Sequence, residues 1–247
     1  MASNASVICK FSDGSYSYLR SVITLDQASE VKTDNSGILN IAGDLQLGQA
    51  NQNKILTHAA AKIQTDSSAD GCFGYAALYG LQGEIVVPIQ GAGTLAGGLP
   101  ALAKPVQMMT GMTVKVFAQA RADAVQYASL AVVCRSGKTD IFQGLGVDNT
   151  AVSMTNVVGG KTIGEALVGE EIVQYYATYS ASNGLADTGV SSGDGINALY
   201  AESSTGQLKG MFYTTTGGGA GQEQMVPYIP CSIIVQQNDS LTVTANV

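Results

Sequence analysis

Apolar and polar residues alternate along much of this chain with a period of two, the repeat of a strand that buries one face. In Met112–Gln119, Met112, Val114, Val116 and Ala118 fall on one side, and Thr113, Lys115 and Gln119 on the other. Leu241–Val247 repeats the pattern with Leu241, Val243, Ala245 and Val247. Val125–Arg135 predicts a longer strand, Ser136-Gly137-Lys138 a turn, and Thr139–Gln143 a further strand. Together these predict a three-stranded meander from Met112 to Gln143. Ile196–Glu202 and Gln207–Thr216 flank Ser203-Ser204-Thr205-Gly206, a hairpin loop in which Gly206 can take a positive φ. Further strands are predicted at Val7–Phe11, Tyr16–Leu25, Ile38–Leu47, Cys72–Tyr79, Glu84–Ile89, Ala151–Asn156, Ile172–Tyr179 and Met225–Val235. Turn clusters such as Asp13-Gly14, Asn35-Ser36-Gly37 and Gly159-Gly160 separate them.

Helical signals are few. Asp26–Lys32 predicts one or two turns with Asp26 as N-cap. Gly164–Tyr176 and Lys54–Gln64 fit helix or strand. A parallel α/β fold needs long crossover helices, and none is visible. The predicted class is all-β, an antiparallel β-sandwich of jelly-roll type with few short helices. Two arrangements fit: sandwiches over residues 1–120 and 121–247 (a double jelly roll), or one elaborated roll over 1–247. A weak echo bears on the choice. Val106-Gln107 followed by Met112-Thr113-Val114 is matched 129 residues later by Val235-Gln236 and Leu241-Thr242-Val243. Common strand residues account for an echo of that strength, so the two-sandwich option rests on strand count.

Composition narrows the function classes. Only 13% of residues are charged, 12 Lys+Arg against 19 Asp+Glu, with a net charge of −7. A charge-rich disordered chain and a long coiled coil are excluded. A basic nucleic-acid binder is disfavoured, because phosphate neutralisation needs clustered cations. The first fifteen residues hold one Lys and one Asp, so no basic arm is present there. Neither a secretory leader nor an apolar run long enough for a transmembrane helix is visible. So few charges suggest an exterior shared with neighbouring molecules.

The residues of catalysis are scarce. The single histidine, His58, lies among alanines, and no G-x-S-x-G elbow accompanies it. Cys9, Cys72, Cys134 and Cys231 are widely spaced without histidine clusters, the pattern of buried free thiols rather than zinc ligands. Asp187 and Asp194 lie in a loop without the calcium-binding repeat. Gly91–Gly98 looks like a dinucleotide loop, but Pro100 and Pro105 interrupt the residues where a helix must follow. Glu170 and Glu171 are adjacent, so on a strand they point to opposite faces and make a poor acid–base pair. Tyr175, Tyr176 and Tyr179 suit either an interface or ordinary packing. No catalytic, cofactor-binding or metal residue is assigned, no cofactor is expected, and no enzymatic activity is expected.

The many strands, the low charge, the long Gly/Ser/Thr/Asn loops and phrases such as GMTVKVFAQ and NDSLTVTANV give a chain that resembles the jelly-roll capsid proteins of tailless icosahedral double-stranded DNA viruses. The resemblance spans most of the chain in style and carries no motif. It implies a self-assembling shell subunit in the virion, assembled in the host cytoplasm. Its partners would be copies of itself and other virion proteins, with an internal membrane reached through those proteins. The alternative is a receptor- or glycan-binding sandwich, such as a spike or fibre head. Its site would lie in Gly91–Gly98, Ser180–Gly195 and Thr214–Gly221.

Overall fold

The computed structural model describes residues 2–24, 35–39, 45–65, 72–90, 99–120, 126–146, 150–179, 195–212 and 228–246. It is all-β, and every described ladder is antiparallel. The first half contains β1 (Ala2–Phe11), β2 (Tyr16–Thr24), β3 (Asn35–Leu39), a single helical turn α1 (Leu47–Ala50), β4 (Ile55–Thr65), β5 (Cys72–Tyr79), β6 (Ile85–Ile89), β7 (Ala101–Gln107) and β8 (Thr113–Ala120). The second contains β9 (Gln126–Cys134), β10 (Thr139–Gly146), β11 (Val152–Ser153), β12 (Thr155–Asn156), α2 (Ile163–Ala166), β13 (Glu171–Tyr179), β14 (Gly195–Glu202), β15 (Leu208–Met211), β16 (Ile229–Ile234) and β17 (Ser240–Asn246).

The first half forms two sheets, β2-β1-β4-β7 and β3-β8-β5-β6. The second forms β12-β10-β9-β13-β16 and β11-β17-β14-β15. The alternation read from the sequence explains how each pair of sheets closes on itself. Val7, Cys9, Leu56, Ala59 and Val106 from one first-half sheet meet Leu78, Val87, Val114 and Val116 from the other in a single buried cluster. Leu130, Val132, Cys134 and Ile172 meet Leu199, Ala201, Leu241 and Val243 in a second. Each half is thus β-sandwich-like, with its own apolar core.

Apart from the extra edge strand β12, the two halves have the same strand order, with β1 to β8 replaced in turn by β9, β10, β11, β13, β14, β15, β16 and β17. The match extends to individual hydrogen bonds. The Gly48 N–H donates to Met112 O, as the Gly164 N–H does to Asp239 O, both at 3.1 Å. Asn53 N–H reaches Met108 O at 3.0 Å, and Gly169 N–H reaches Val235 O at 2.9 Å. Both donors sit at positive φ, 68° and 81°. The β1–β2 turn is closed by Phe11 N–H to Ser15 O (2.9 Å), the β9–β10 turn by Cys134 N–H to Lys138 O (2.8 Å). β4 and β13 even share a bulge, between Leu56 and His58 and between Ile172 and Gln174.

Several expectations are corrected. The meander from Met112 to Gln143 does not form: β8 pairs with β3 and β5, while β9 pairs with β10 and β13. Adjacency in sequence was misleading because β8 closes the first half and β9 opens the second. Asn35-Ser36-Gly37 is not a turn but part of β3. Lys54–Gln64 resolves mostly to strand β4, and Gly164–Tyr176 to the end of α2 followed by β13. β7, with Pro105 inside it, is a strand that the alternating pattern did not mark. β7 is the last strand of its sheet, where a missing N–H costs no ladder bond. The predicted helix at Asp26–Lys32 lies outside the described residues.

Candidate functional site at the junction of the halves

The two halves meet where β6 lies against the outer face of the β9 sheet. Among the described strands β6 is the last in its order, so one row of its backbone groups has no ladder there. The second half supplies the missing partners. Thr139 Oγ1 lies 3.1 Å from both Ile85 O and Val86 O. The Tyr176 hydroxyl donates to Ile89 O at 3.1 Å, and the Tyr228 hydroxyl to Pro88 O at 3.3 Å. Ala131, Ile141 and Tyr176 join the first half's buried cluster. Tyr176 and Tyr228 also meet edge to face, with centroids 5.2 Å apart. Burial pushes both phenols above their ordinary range, so they remain hydroxyl donors at neutral pH.

Adjacent residues on β13 face opposite sides, and that geometry separates two of the clustered tyrosines. Tyr175 turns into the second half's own core and meets Phe212 edge-on at 4.8 Å. Tyr176 turns into the junction. Both are buried, so they serve packing within the chain. The side chain of Tyr179 lies outside what the structure describes.

Beside this seam lies a cleft of about 330 Å³, lined by Glu84, Lys104, Lys138, Asp140, Asn156 and Lys161 among others. Its cations act mainly as clamps. Lys104 Nζ donates to Gly137 O at 2.5 Å across the junction, and Lys138 Nζ to Ala166 O at 2.6 Å. Asp140 accepts from Asn156 Nδ2 at 3.0 Å and from the Ile141 N–H at 2.8 Å. Burial raises its pKa, and these two hydrogen bonds oppose the rise. Asp140, Thr139, Lys104 and Tyr228 carried no motif, and each makes a contact here with a residue distant in sequence.

The residues weighed for chemistry are dispersed. His58 is half-buried on β4, its Nδ1 2.9 Å from Thr57 Oγ1. Glu171 forms a two-pronged pair with Arg135, at 2.6 and 2.8 Å, and accepts from Ser232 Oγ at 3.0 Å. These contacts, the arginine first, hold its pKa down at about 2. Glu170 accepts from Ser136 Oγ at 2.6 Å. Both glutamates therefore brace the β9–β10 turn. Cys9, Cys134 and Cys231 are free thiols, raised by burial to about 12, about 12 and about 11. Among the described residues no group of three His, Cys, Asp or Glu side chains could hold a metal. No described helix is long and apolar enough to cross a membrane. Asp187 and Asp194 lie outside the described residues, as do the three glycine-rich loops apart from Gly195.

Compared with family models, with curated proteins and with solved structures, the chain matches none.

Proposed function

We propose that this protein is a structural, self-assembling subunit of a viral shell, built as two jelly rolls in tandem over residues 1–120 and 121–247. The observation that carries the reading is the shared strand order. If β1 is moved from the front of the first eight strands to their end, the sheet orders 2-1-4-7 and 3-8-5-6 become 1-8-3-6 and 2-7-4-5. Those are the interleaved orders of a jelly roll, the architecture common to many capsid proteins. The second half, apart from its extra edge strand β12, transforms the same way. Two such rolls in one chain favour a double form over a single elaborated one.

The physical role of such a subunit is to hold a rigid shape and offer repeated contacts, so that many weak interfaces add through symmetry. Each half has its own core, and hydroxyl and ammonium clamps hold the halves together, which suits a load-bearing part. Its partners are copies of itself and other virion proteins, any internal membrane being reached through those proteins. Its place is the virion, and it needs neither cofactor nor catalytic residue. Light scattering over a range of concentration and salt, with electron microscopy of the expressed protein, tests this. Growth into regular assemblies is expected. A monomer under every condition overturns the reading.

A further inference from the structure

We propose that the β15–β16 edge of one molecule docks on the outer face of the β1 sheet of a second copy, head to tail, as β6 docks on the β9 sheet within the chain. The inference rests on the self-assembly reading and names the surfaces that carry it. The internal junction joins an edge of the first half to a face of the second. Because the halves are equivalent, each of those surfaces has a counterpart on the other half, and among the described residues that counterpart is unmated. The hairpin hydrogen bonds fix the correspondence, pairing Phe11 with Cys134 and Ser15 with Lys138. Continued along β2 and β10, it places Tyr16 where Thr139 stands and Tyr18 where Ile141 stands. On β1 it places Ile8 at the position of Ala131.

Thr139, Ile141 and Ala131 are buried at the junction. Their counterparts face outward, with Tyr16 60% and Tyr18 57% exposed. The same mapping carries β6 onto β15, since Gly80 N–H to Glu84 O and Ser203 N–H to Gln207 O close matching turns. Ile85, Pro88 and Ile89 thus correspond to Leu208, Met211 and Phe212. Leu208 and Met211 are each 55% exposed, and Ile234 on the neighbouring β16 is 61% exposed. Among the described strands β15, like β6, is the last of its sheet. Its outward carbonyls would receive the hydroxyls of Tyr16 and Tyr18, as those of β6 receive Thr139 and Tyr176.

Charge favours the same pairing. Residues 1–120 carry seven Lys+Arg against eight Asp+Glu, a net of −1, and residues 121–247 carry five against eleven, a net of −6. On the outer face of the β1 sheet, beside Tyr16 and Tyr18, stand Arg20 and Lys10, the latter with Nζ 5.8 Å from the Tyr16 ring centroid, and the four strands of that sheet contain no Asp or Glu. A head-to-tail contact sets this cationic face against the acidic half. Joining two second halves would bring like charge together. Such a contact is heterologous, so it closes into a ring or runs on as a filament, according to the rotation it imposes.

The test uses two full-length variants. Tyr16→Asp with Tyr18→Asp removes the face, and Leu208→Asp with Met211→Asp removes the edge. Wild type is expected to grow with concentration in light scattering. Each variant alone should remain monomeric, with at least about a 30-fold loss of self-affinity, the scale of losing an interface hot spot. Mixed together, the two variants should form a 1:1 dimer and stop, because one good edge and one good face remain. Should an aspartate variant fail to fold by circular dichroism, Tyr18→Ser and Met211→Ser take its place. Assembly of either variant at wild-type concentration, or a mixture that gives no dimer, overturns the docking surfaces while leaving self-assembly standing. A wild type that never associates overturns both.

Discussion

The two halves of this molecule share one backbone plan and differ in what equivalent side chains meet. In the first half the outer face of the β1 sheet presents Tyr16 and Tyr18 to solvent. In the second the same positions hold Thr139 and Ile141, buried against β6. Polarity inside the halves diverges as well. Lys209 Nζ donates to Asp239 Oδ2 at 2.5 Å, both side chains being largely buried. The equivalent first-half residues are Val86 and Met112, which belong to the apolar cluster or pack against it. Hydrogen-bonded turns and an alternating pattern therefore specify this sandwich, whereas the partners across a contact decide which residues fill it. That is why two halves so alike in strand order share so little sequence.

The largest expected effect breaks this contrast at the ion pair. Lys209→Met leaves Asp239 buried without its cation, and Asp239 Oδ1 already has no hydrogen-bond partner. A loss of about 3–5 kcal/mol is expected in urea unfolding. Lys209→Val combined with Asp239→Met imports the first half's solution and should recover most of the loss, or exceed wild type. A double variant as unstable as the single one would mean that the halves are not interchangeable at this position.

Next in size are the matched glycines. A Cβ on Gly48 would lie 2.0 Å from Met109 O, and one on Gly164 would lie 2.5 Å from Asp239 N. Both contacts are with backbone, which cannot swing aside. Gly48→Ala and Gly164→Ala should each cost about 1–3 kcal/mol, with Gly48 the more sensitive. Cys9 and Cys134 lie in separate cores. Thiol labelling followed by peptide mapping therefore shows which half opens. Gly48→Ala should speed labelling of Cys9 first, and Gly164→Ala that of Cys134.

Much of the strand content was legible because alternation is a local signal. β8, β9, β14 and β17 lie close to the segments read from the pattern. Pairing was not legible, since it depends on which distant strands close a sheet, and so β8 and β9 looked like neighbours. β7 was obscured by Pro105, which only an edge position tolerates. The echo between Val106–Val114 and Val235–Val243 did fall on equivalent hairpins, but two residues out of register. The hydrogen bonds Met112 N–H to Met109 O and Asp239 N–H to Gln236 O place the true correspondence 127 residues apart, not 129. A shift of two preserves the inward face, so an alternating pattern cannot detect it. The junction was invisible for a related reason: Thr139, Asp140 and Tyr228 acquire their roles only from β6 and β12.

A smaller effect separates the halves by acid. Glu171, paired with Arg135, has a folded-state pKa of about 2, below its ordinary 4.5. A lowered carboxylate pKa gives stability that is present above the unfolded value and is lost as pH falls through the folded one. The equivalent first-half residue is Ile55, which has no charge to titrate. The melting temperatures of wild type and Glu171→Gln should therefore differ at pH 6 and converge towards pH 2. Peptide-resolved hydrogen exchange should place the change in the β9 sheet. An equal gap at both pH values would remove the ion pair as its source.

The smallest effect sharpens the equivalence itself. Asn53 and Gly169 hold the same left-handed backbone conformation after their helical turns. Asn and Gly both enter that region readily, whereas a residue with an ordinary Cβ is strained there by about 1–2 kcal/mol. Exchanging the two residues, as Asn53→Gly with Gly169→Asn, should move stability by no more than about 0.5 kcal/mol, as an unstrained surface change does. Asn53→Ala and Gly169→Ala should each cost about 1 kcal/mol. Alanine gives the sharper reading, because an unequal pair of losses would show that one turn can relax its φ and the other cannot. The match between the halves would then hold for the pattern of hydrogen bonds and not for the stiffness of the turns that make them.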